Sequence, residues 1–440
     1  MPRNYGGKIM ERKELPAYAI SLLSKAGAQK SQCALVDSER HALSFCNGKF
    51  SLFRTAQNTS LELVAIKDSR RGTFKTGPLG ETEIPAAVDN MLCGLQSAPM
   101  DEAYDIAPAQ PAGIFDNGIS APDRGKMFDR LSEFREYLSG NYRAITLRSA
   151  NIEFVRESKD LRNSNGVCFS CAYGHYRINI ETAVDEDGRS QAESSLYVVS
   201  KDIDRPVWTY GGIGAQVSQL DKLRHGQRLE GKFTGDIIVA PSAFRQFVKF
   251  FSVLSLRDLL LVPGTSPYKD KIGQKIADAS FSLRSCPLSE EMSDGYFVTP
   301  DGFKAENSAI IELGVLKNFM LSYYGSKKLK VPHIPNGGGC YVVDPGSSGF
   351  EELLKSVHKG LLVAELCEDK PNERGDFSGV AKNSFYIEDG KIKFPVSNVL
   401  ISGNIPSMLL NINGISRERV NFGNELYPWM SFGGVTVSGR

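Results

Sequence analysis

The tightest constraint in this sequence is one dipeptide, Asp389-Gly390, set between two runs of strand-forming residues. An Asp-Gly pair supplies two consecutive positive-φ positions, which a two-residue hairpin turn needs if its strands are to keep their natural twist. Residues 384–387 and 392–394 are therefore expected to pair as antiparallel strands, with Glu388 facing Lys391 across the turn. Pro395 closes this hairpin, and residues 399–401 read as a short buried strand. Gly403-Asn404 then breaks the chain before Pro406 enters the first turn of a short helix that Gly414 ends.

Working back along the chain, residues 11–26 place Leu15, Tyr18, Ala19, Leu22 and Leu23 at helical spacing. Residues 33–37, 43–46, 49–56 and 60–66 read as short strands. A turn over 67–72 leads into 73–75, and residues 84–96 are helical again. Residues 105–120 are rich in Ala, Pro, Gly and Asp, and Pro108, Pro111 and Pro122 prevent regular helix there. An amphipathic helix over 124–139 follows, then a long extended strand over 142–156 and a turn at 163–166. A hairpin of 167–182 and 190–200 folds around 185–189. The fold class is α+β: N-terminal units of antiparallel strands flanked by helices, followed by a third, strand-rich unit. For 440 residues the length prior is about three domains. The expected division is an N-terminal α+β domain over 10–104, a linker over 105–123, a central domain over 124–228 and a C-terminal domain over 229–440.

Charge excludes one class of partner. Lys and Arg number 52 and Asp and Glu 51, so the formal net charge is +1 and no polyanionic, nucleic-acid partner is expected. Lys327, Lys328 and Lys330 form the one dense basic cluster and read as a solvated helix end. Residues 1–30 hold no apolar run resembling a signal-peptide core, and no later run approaches the ~20 apolar residues of a membrane helix. A cytoplasmic protein with no membrane partner is expected, its eight cysteines reduced.

Several side chains are candidates for chemistry. Cys168 and Cys171, with His175 four residues on, could be a metal fragment, but in a strand residues three apart point to opposite faces and the thiols diverge. Cys340 could be a nucleophile beside His333 or His358, although no orienting partner is visible. Gly211 to Gly214 and Gly337 to Gly339 lack the Lys-Ser/Thr of a phosphate loop and read as turns. Asp301 and Asp376 sit beside glycines, where a carboxylate usually bonds its own backbone. Phe244, Phe247, Val248, Phe251 and Leu254 follow helical spacing and make one continuous apolar face.

Gly375-Asp376-Phe377-Ser378, Phe394-Pro395-Val396, Ile401-Ser402-Gly403-Asn404 and Met408 together resemble the C-terminal signature of the TldD/PmbA family, once called modulators of DNA gyrase. The wording is closer to the PmbA branch, also called TldE. The resemblance implies a C-terminal β-barrel-like domain around central helices. It also implies a subunit of a heterodimeric metalloprotease acting on unfolded or small peptides, this chain forming part of the chamber wall. In the TldD branch a His-Glu-x-x-x-His helix and a later Cys hold zinc. The matching positions here are about Gln246, Phe247, Phe251 and Phe422, and no histidine lies between His225 and His333. No catalytic residue, metal or cofactor is therefore expected in this chain. Zinc is expected in a TldD-like partner subunit. The alternative is a homodimer, pairing with a second copy of itself as a non-catalytic peptide-binding or scaffold protein.

Overall fold

The computed structural model describes residues 3–5, 8–80, 82–186, 189–368, 371–396 and 398–439. The first helix, α1 (Leu15–Lys25), starts later than its apolar spacing suggests, because a 3-10 turn at Arg12–Glu14 precedes it and Pro16 sets its first turn. Leu15, Ala19 and Leu23 are buried as expected.

The four short strands expected between residues 33 and 66 are mainly two long ones. Strand β1 (Lys30–Cys46) pairs antiparallel with β2 (Arg54–Lys67), from Lys30 opposite Ile66 to Ala42 opposite Arg54. The polar run Asp37 to Arg40 looks like a break, yet a strand on each side takes up its backbone N–H and C=O groups. Backbone pairing holds the strand where apolar side chains do not. Asp68 and Ser69, both at positive φ, then turn the chain into β3 (Arg70–Thr76), which α2 (Glu83–Ser97) follows.

Residues 105–123, expected as a linker, contain a strand. Strand β4 (Gly113–Gly118) lies parallel to a later strand, Ile114 opposite Ser170, and Ile106 and Ala107 are buried. The prolines rule out helix there, but β4 itself contains none. Helix α3 (Arg124–Asn141) is capped by Asp123, whose side chain accepts from the Lys126 N–H at 2.9 Å. Strand β5 (Ile145–Asn163) runs seven residues beyond its expected end at 156, and β6 (Cys168–Glu186) and β7 (Arg189–Ser200) make the expected hairpin. The tip of that hairpin, 187–188, lies outside the described residues. The sheet runs β7-β6-β5-β1-β2-β3 with β4 beside β6, so strands from both expected N-terminal units share it. Helices α1 and α2 cover Leu35, Leu61 and Leu63 on one face, and α3 covers Leu43 and Phe45 farther along. The opposite face of β5 and β6 turns toward the C-terminal half, where the Phe297 N–H donates to the Tyr173 hydroxyl at 3.0 Å.

Gly211 and Gly212, both at positive φ, form the turn that opens α4 (Ile213–Asp221). Among the described residues the second sheet has 13 strands, and it curls into a half-barrel. In chain order it includes β8 (Lys232–Val239), β9 (Tyr341–Val343), β10 (Lys359–Val363), β11 (Ser384–Glu388), β12 (Lys391–Val396), β13 (Val399–Asn404) and β14 (Glu425–Ser438). Six of these lie side by side as β9-β14-β8-β10-β11-β12. The helices of this half include α5 (Pro241–Lys249), α6 (Tyr323–Leu329) and α7 (Ile405–Leu410). Helix α7 is N-capped by Asn404 and stops before Gly414, because Ile412 already begins a strand paired with β14. No helix among the described residues is long and apolar enough to cross a membrane.

The Asp389-Gly390 turn forms as expected, with φ of 48° and 71° and Glu388 opposite Lys391. Strand β12 continues through Pro395 to Val396, which is tolerated because β12 ends its sheet path. A Cβ at Gly390 would sit 2.9 Å from the Lys355 backbone. Gly390→Ala is expected to cost about 1–3 kcal/mol, from positive φ and this contact together, read as a lower urea midpoint with an unchanged slope.

Candidate functional site

Helix α5 begins at Pro241 directly after β8 and packs on β14. Its inward face is aromatic. Phe247 lies 5.9 Å from Phe244, 5.9 Å from Phe432 and 5.5 Å, edge-on, from Phe377. Phe251, in the π-helical turn Phe250–Ser255 that continues α5, packs 5.8 Å from Tyr268. Phe244, Phe247, Val248 and Phe251 are all buried, whereas the side chain of Leu254 lies outside the described residues. Gln246 is half-buried on the flank of this face. Phe422 is buried away from the stack, beneath the guanidinium of Arg245 at 4.8 Å. The four positions implied as remnants of a zinc site thus hold three buried rings and one amide.

Beside Arg245 a cleft of about 360 Å³ opens between the two sheets. Alternate residues Tyr173, His175 and Arg177 of β6 form its floor with Val155 and Glu157 of β5, in the register Val155 opposite His175. Two loops of the C-terminal half and the start of β14 line it as well, bringing Asp294, Cys340 and Glu425. Arg177 Nε donates to His175 Nε2 at 3.3 Å, so the proton of the neutral ring sits on Nδ1. Burial holds that ring's pKa below its ordinary value; the Asp294 carboxylate, 3.7 Å from Nε2, opposes this and Arg177 adds to it. Glu425 is raised by burial and pulled back by Arg245, whose Nε donates to Oε2 at 2.5 Å.

The remaining candidates resolve individually. Cys340 and His175 both line the cleft, and neither candidate base is placed there. His333 is packed against Phe303 and Tyr323 with both ring nitrogens unpartnered, and His358 pairs with Asp389 at the hairpin. Burial pushes the Cys340 thiol up to about 12, so it is held as the unreactive thiol. Cys171 is buried while Cys168 accepts from Arg162 Nη1 at 2.7 Å, consistent with side chains on opposite faces. Asp301 accepts from the Tyr323 N–H at the start of α6, and Asp376 accepts from Asn372 and Asn404 side chains. Lys327 and Lys328 pair with Asp105 and Asp101. Gly338 and Gly339 both adopt positive φ at the cleft rim. Sequence reasoning missed Glu157, Asp294 and Glu425. The alternation of residues 173, 175 and 177 was the one available signal for the floor.

Thiol reactivity follows from this map. In the native protein at about pH 8, near the ordinary thiol pKa, a disulfide reagent is expected to titrate the exposed Cys46, Cys93 and Cys367 rapidly. Cys33 and Cys340, both raised by burial, should react only on addition of denaturant. Mass mapping of a brief labelling pulse tests this; early modification at Cys340 would contradict the burial argument.

The PmbA/TldA metallopeptidase C-terminal domain matches residues 231–439. Metalloprotease PmbA of Escherichia coli O157:H7 is 31% identical over 417 residues, covering 85% of this chain and 86% of the relative. The chain belongs to the PmbA/TldD family. A PmbA homolog of Haemophilus influenzae is 22% identical over 460 residues, 96% of each chain. TldE from Thermococcus kodakarensis, in its crystal structure, shares the fold with a TM-score of 0.82 at 17% identity, covering 97% of this chain and 100% of that one. For a PmbA/TldD protein the metallopeptidase name raises the question of a metal. Zinc takes imidazole, thiolate or carboxylate donors at about 2 Å. The residues at the implied positions do not fit: phenylalanine has no lone pair to give. Among the described residues no three His, Cys, Asp or Glu side chains converge as a cation site.

Proposed function

We propose that this PmbA/TldD chain is a non-catalytic, metal-free, TldE-type subunit. It pairs with a TldD-like subunit to make a metallopeptidase for unfolded or small peptides, and it supplies part of the chamber wall. The zinc, the water it activates and the general base belong to the partner. One observation carries this reading: Phe247, Phe251 and Phe422 are buried where the resemblance implies a relative's metal ligands. Phe247 and Phe251 pack among other rings and Phe422 lies beneath Arg245, and none of the three offers a cation a lone pair.

The experiment has two arms. The chain purified alone is expected to carry substoichiometric zinc by mass spectrometry and to leave a denatured protein substrate uncut. Mixed with a TldD-like protein of its own genome, it should form a complex by light scattering and restore cleavage. Stoichiometric zinc or cleavage by the lone chain overturns the reading. A stable homodimer that ignores the TldD-like protein would favour a peptide-binding scaffold instead.

A further inference from the structure

Two of the cysteines stand opposite each other across a strand ladder. The short strand Leu283–Ser285 pairs antiparallel with β9, Ser285 opposite Tyr341. One step further the Cys286 N–H donates to the Cys340 carbonyl at 2.9 Å, which sets these two residues face to face. Their side chains share one side of the ladder: Cys340 is buried with Met292, Val342 and Leu426, and Cys286 packs on that cluster. Opposed residues of an antiparallel pair have Cα atoms about 4.5–5.5 Å apart, inside the roughly 4.4–6.8 Å that a disulfide spans. Among the described residues no other two cysteines are opposed in this way. Cys33 and Cys168 both lie opposite Arg162, but on the strands flanking it, which puts them about 9–10 Å apart. Both thiols are free in the structure.

We propose that Cys286 and Cys340 form a redox-responsive dithiol, which a small disulfide such as glutathione disulfide oxidises to an intramolecular disulfide that pins the roots of two cleft loops. Cys286 opens the loop that carries Asp294 and Tyr296, and Cys340 closes the turn of Gly337 to Gly339. The Tyr296 hydroxyl already donates to the Gly338 carbonyl at 3.0 Å, so the bridge joins segments that are in contact and needs no rearrangement of the ladder. Cys286 reacts first, because it is half-buried while Cys340 is 5% exposed. Its thiolate attacks one sulfur of glutathione disulfide, forming a mixed disulfide and releasing one glutathione. Cys340 then gives up its proton to the medium, attacks Cys286 Sγ and expels the second glutathione. The protein loses two electrons and two protons, and glutathione disulfide becomes two glutathione thiols. Burial shields Cys340 from an external reagent, but the mixed disulfide is held beside it, and that proximity makes the second step intramolecular. The weak bond from Cys340 Sγ to the Asp294 carbonyl at 3.5 Å is given up on closure.

The reduced full-length chain is incubated for hours with millimolar glutathione disulfide at about pH 8, near the ordinary thiol pKa, then acid-quenched, alkylated and mapped without reduction. A peptide linking Cys286 to Cys340 is expected from the native protein, and dithiothreitol should remove it. Cys340→Ser should stop at a stable glutathione adduct on Cys286, whereas Cys286→Ser should leave Cys340 a free thiol. The oxidised protein should melt about 4 °C or more above the reduced one, because the bridge closes a long loop, and neither variant should show this gain. The native chain itself carries the test if a variant fails to fold. A bridge that forms only in denaturant, a glutathione adduct that persists on Cys286 with Cys340 present, a different cysteine pair, or an unchanged midpoint each overturns the proposal.

Discussion

Phe247→Ala is expected to lower the stability of the C-terminal half by about 3–5 kcal/mol, the usual range for removing a fully buried aromatic ring. The side chain is 2% exposed and touches three further rings, Phe244, Phe377 and Phe432, which belong to a helix and two strands of the half-barrel. Alanine leaves a ring-sized cavity that these elements cannot close without moving relative to one another. Each ring pair lost adds about 0.5–1.5 kcal/mol beyond area burial. Urea unfolding followed by tyrosine and tryptophan fluorescence measures the effect. Gln246→Ala, one residue away and half-buried, should shift the midpoint by less than about 0.5 kcal/mol, as for ordinary surface changes. A Phe247→His variant should lose stability and gain no zinc, because the surrounding rings supply no further donor. Near-neutral behaviour of Phe247→Ala would remove the packing argument on which the metal-free reading stands.

What could be read in advance was local. The Asp389-Gly390 turn was legible because two adjacent residues fix both dihedral pairs, and the aromatic face of α5 was legible because Phe244, Phe247 and Phe251 recur at helical spacing. The lengths of β1 and β2 were not. Asp37 to Arg40 reads as a loop until the strands on both sides are known, since those strands satisfy its backbone. The strand β4 was hidden for the same reason: its partner is Phe169 to Gly174, far along the chain. The segment itself, Gly113 to Gly118, carries only Ile114 and Phe115 as apolar side chains, and these are adjacent rather than alternating.

The cleft shows the same limit more sharply. In the sequence His175 stands out only as a neighbour of the Cys168–Cys171 pair, and that pair is split across two faces of a strand. Its true companions, Asp294, Cys340 and Glu425, arrive on two loops and the first residue of β14, and their spacing in sequence carries no information about their meeting. A cysteine nucleophile requires a base, and the sequence offers Cys340 only His333 or His358 near it in the chain. The fold instead places it in a cleft without either base and buries it enough to suppress the thiolate.

Arg245→Met should cost roughly 3 kcal/mol at about pH 8, because it strands a buried carboxylate rather than merely deleting a contact. Arg245 and Glu425 side chains are 21% and 19% exposed, and Arg245 also donates to the Tyr197 carbonyl and covers the Phe422 ring. Burial already raises the pKa of Glu425, and Arg245 is the largest influence opposing it. Without the guanidinium the folded-state pKa rises further. A carboxyl whose folded pKa is raised supports the fold while protonated, below its unfolded pKa, and that support is lost as pH rises through the folded value. The deficit of Arg245→Met should therefore be smallest near about pH 4, the ordinary glutamate range, and largest under alkaline conditions. Adding Glu425→Gln should recover most of the loss at about pH 8, since the neutral amide needs no counter-charge, leaving the smaller cost of the Phe422 and Tyr197 contacts. Urea midpoints of the two single variants and the double variant, taken across that pH range, form a complete cycle. A pH-independent deficit, or a double variant worse than Arg245→Met alone, would show that packing around Phe422 and not the charge of Glu425 holds this corner of the cleft together.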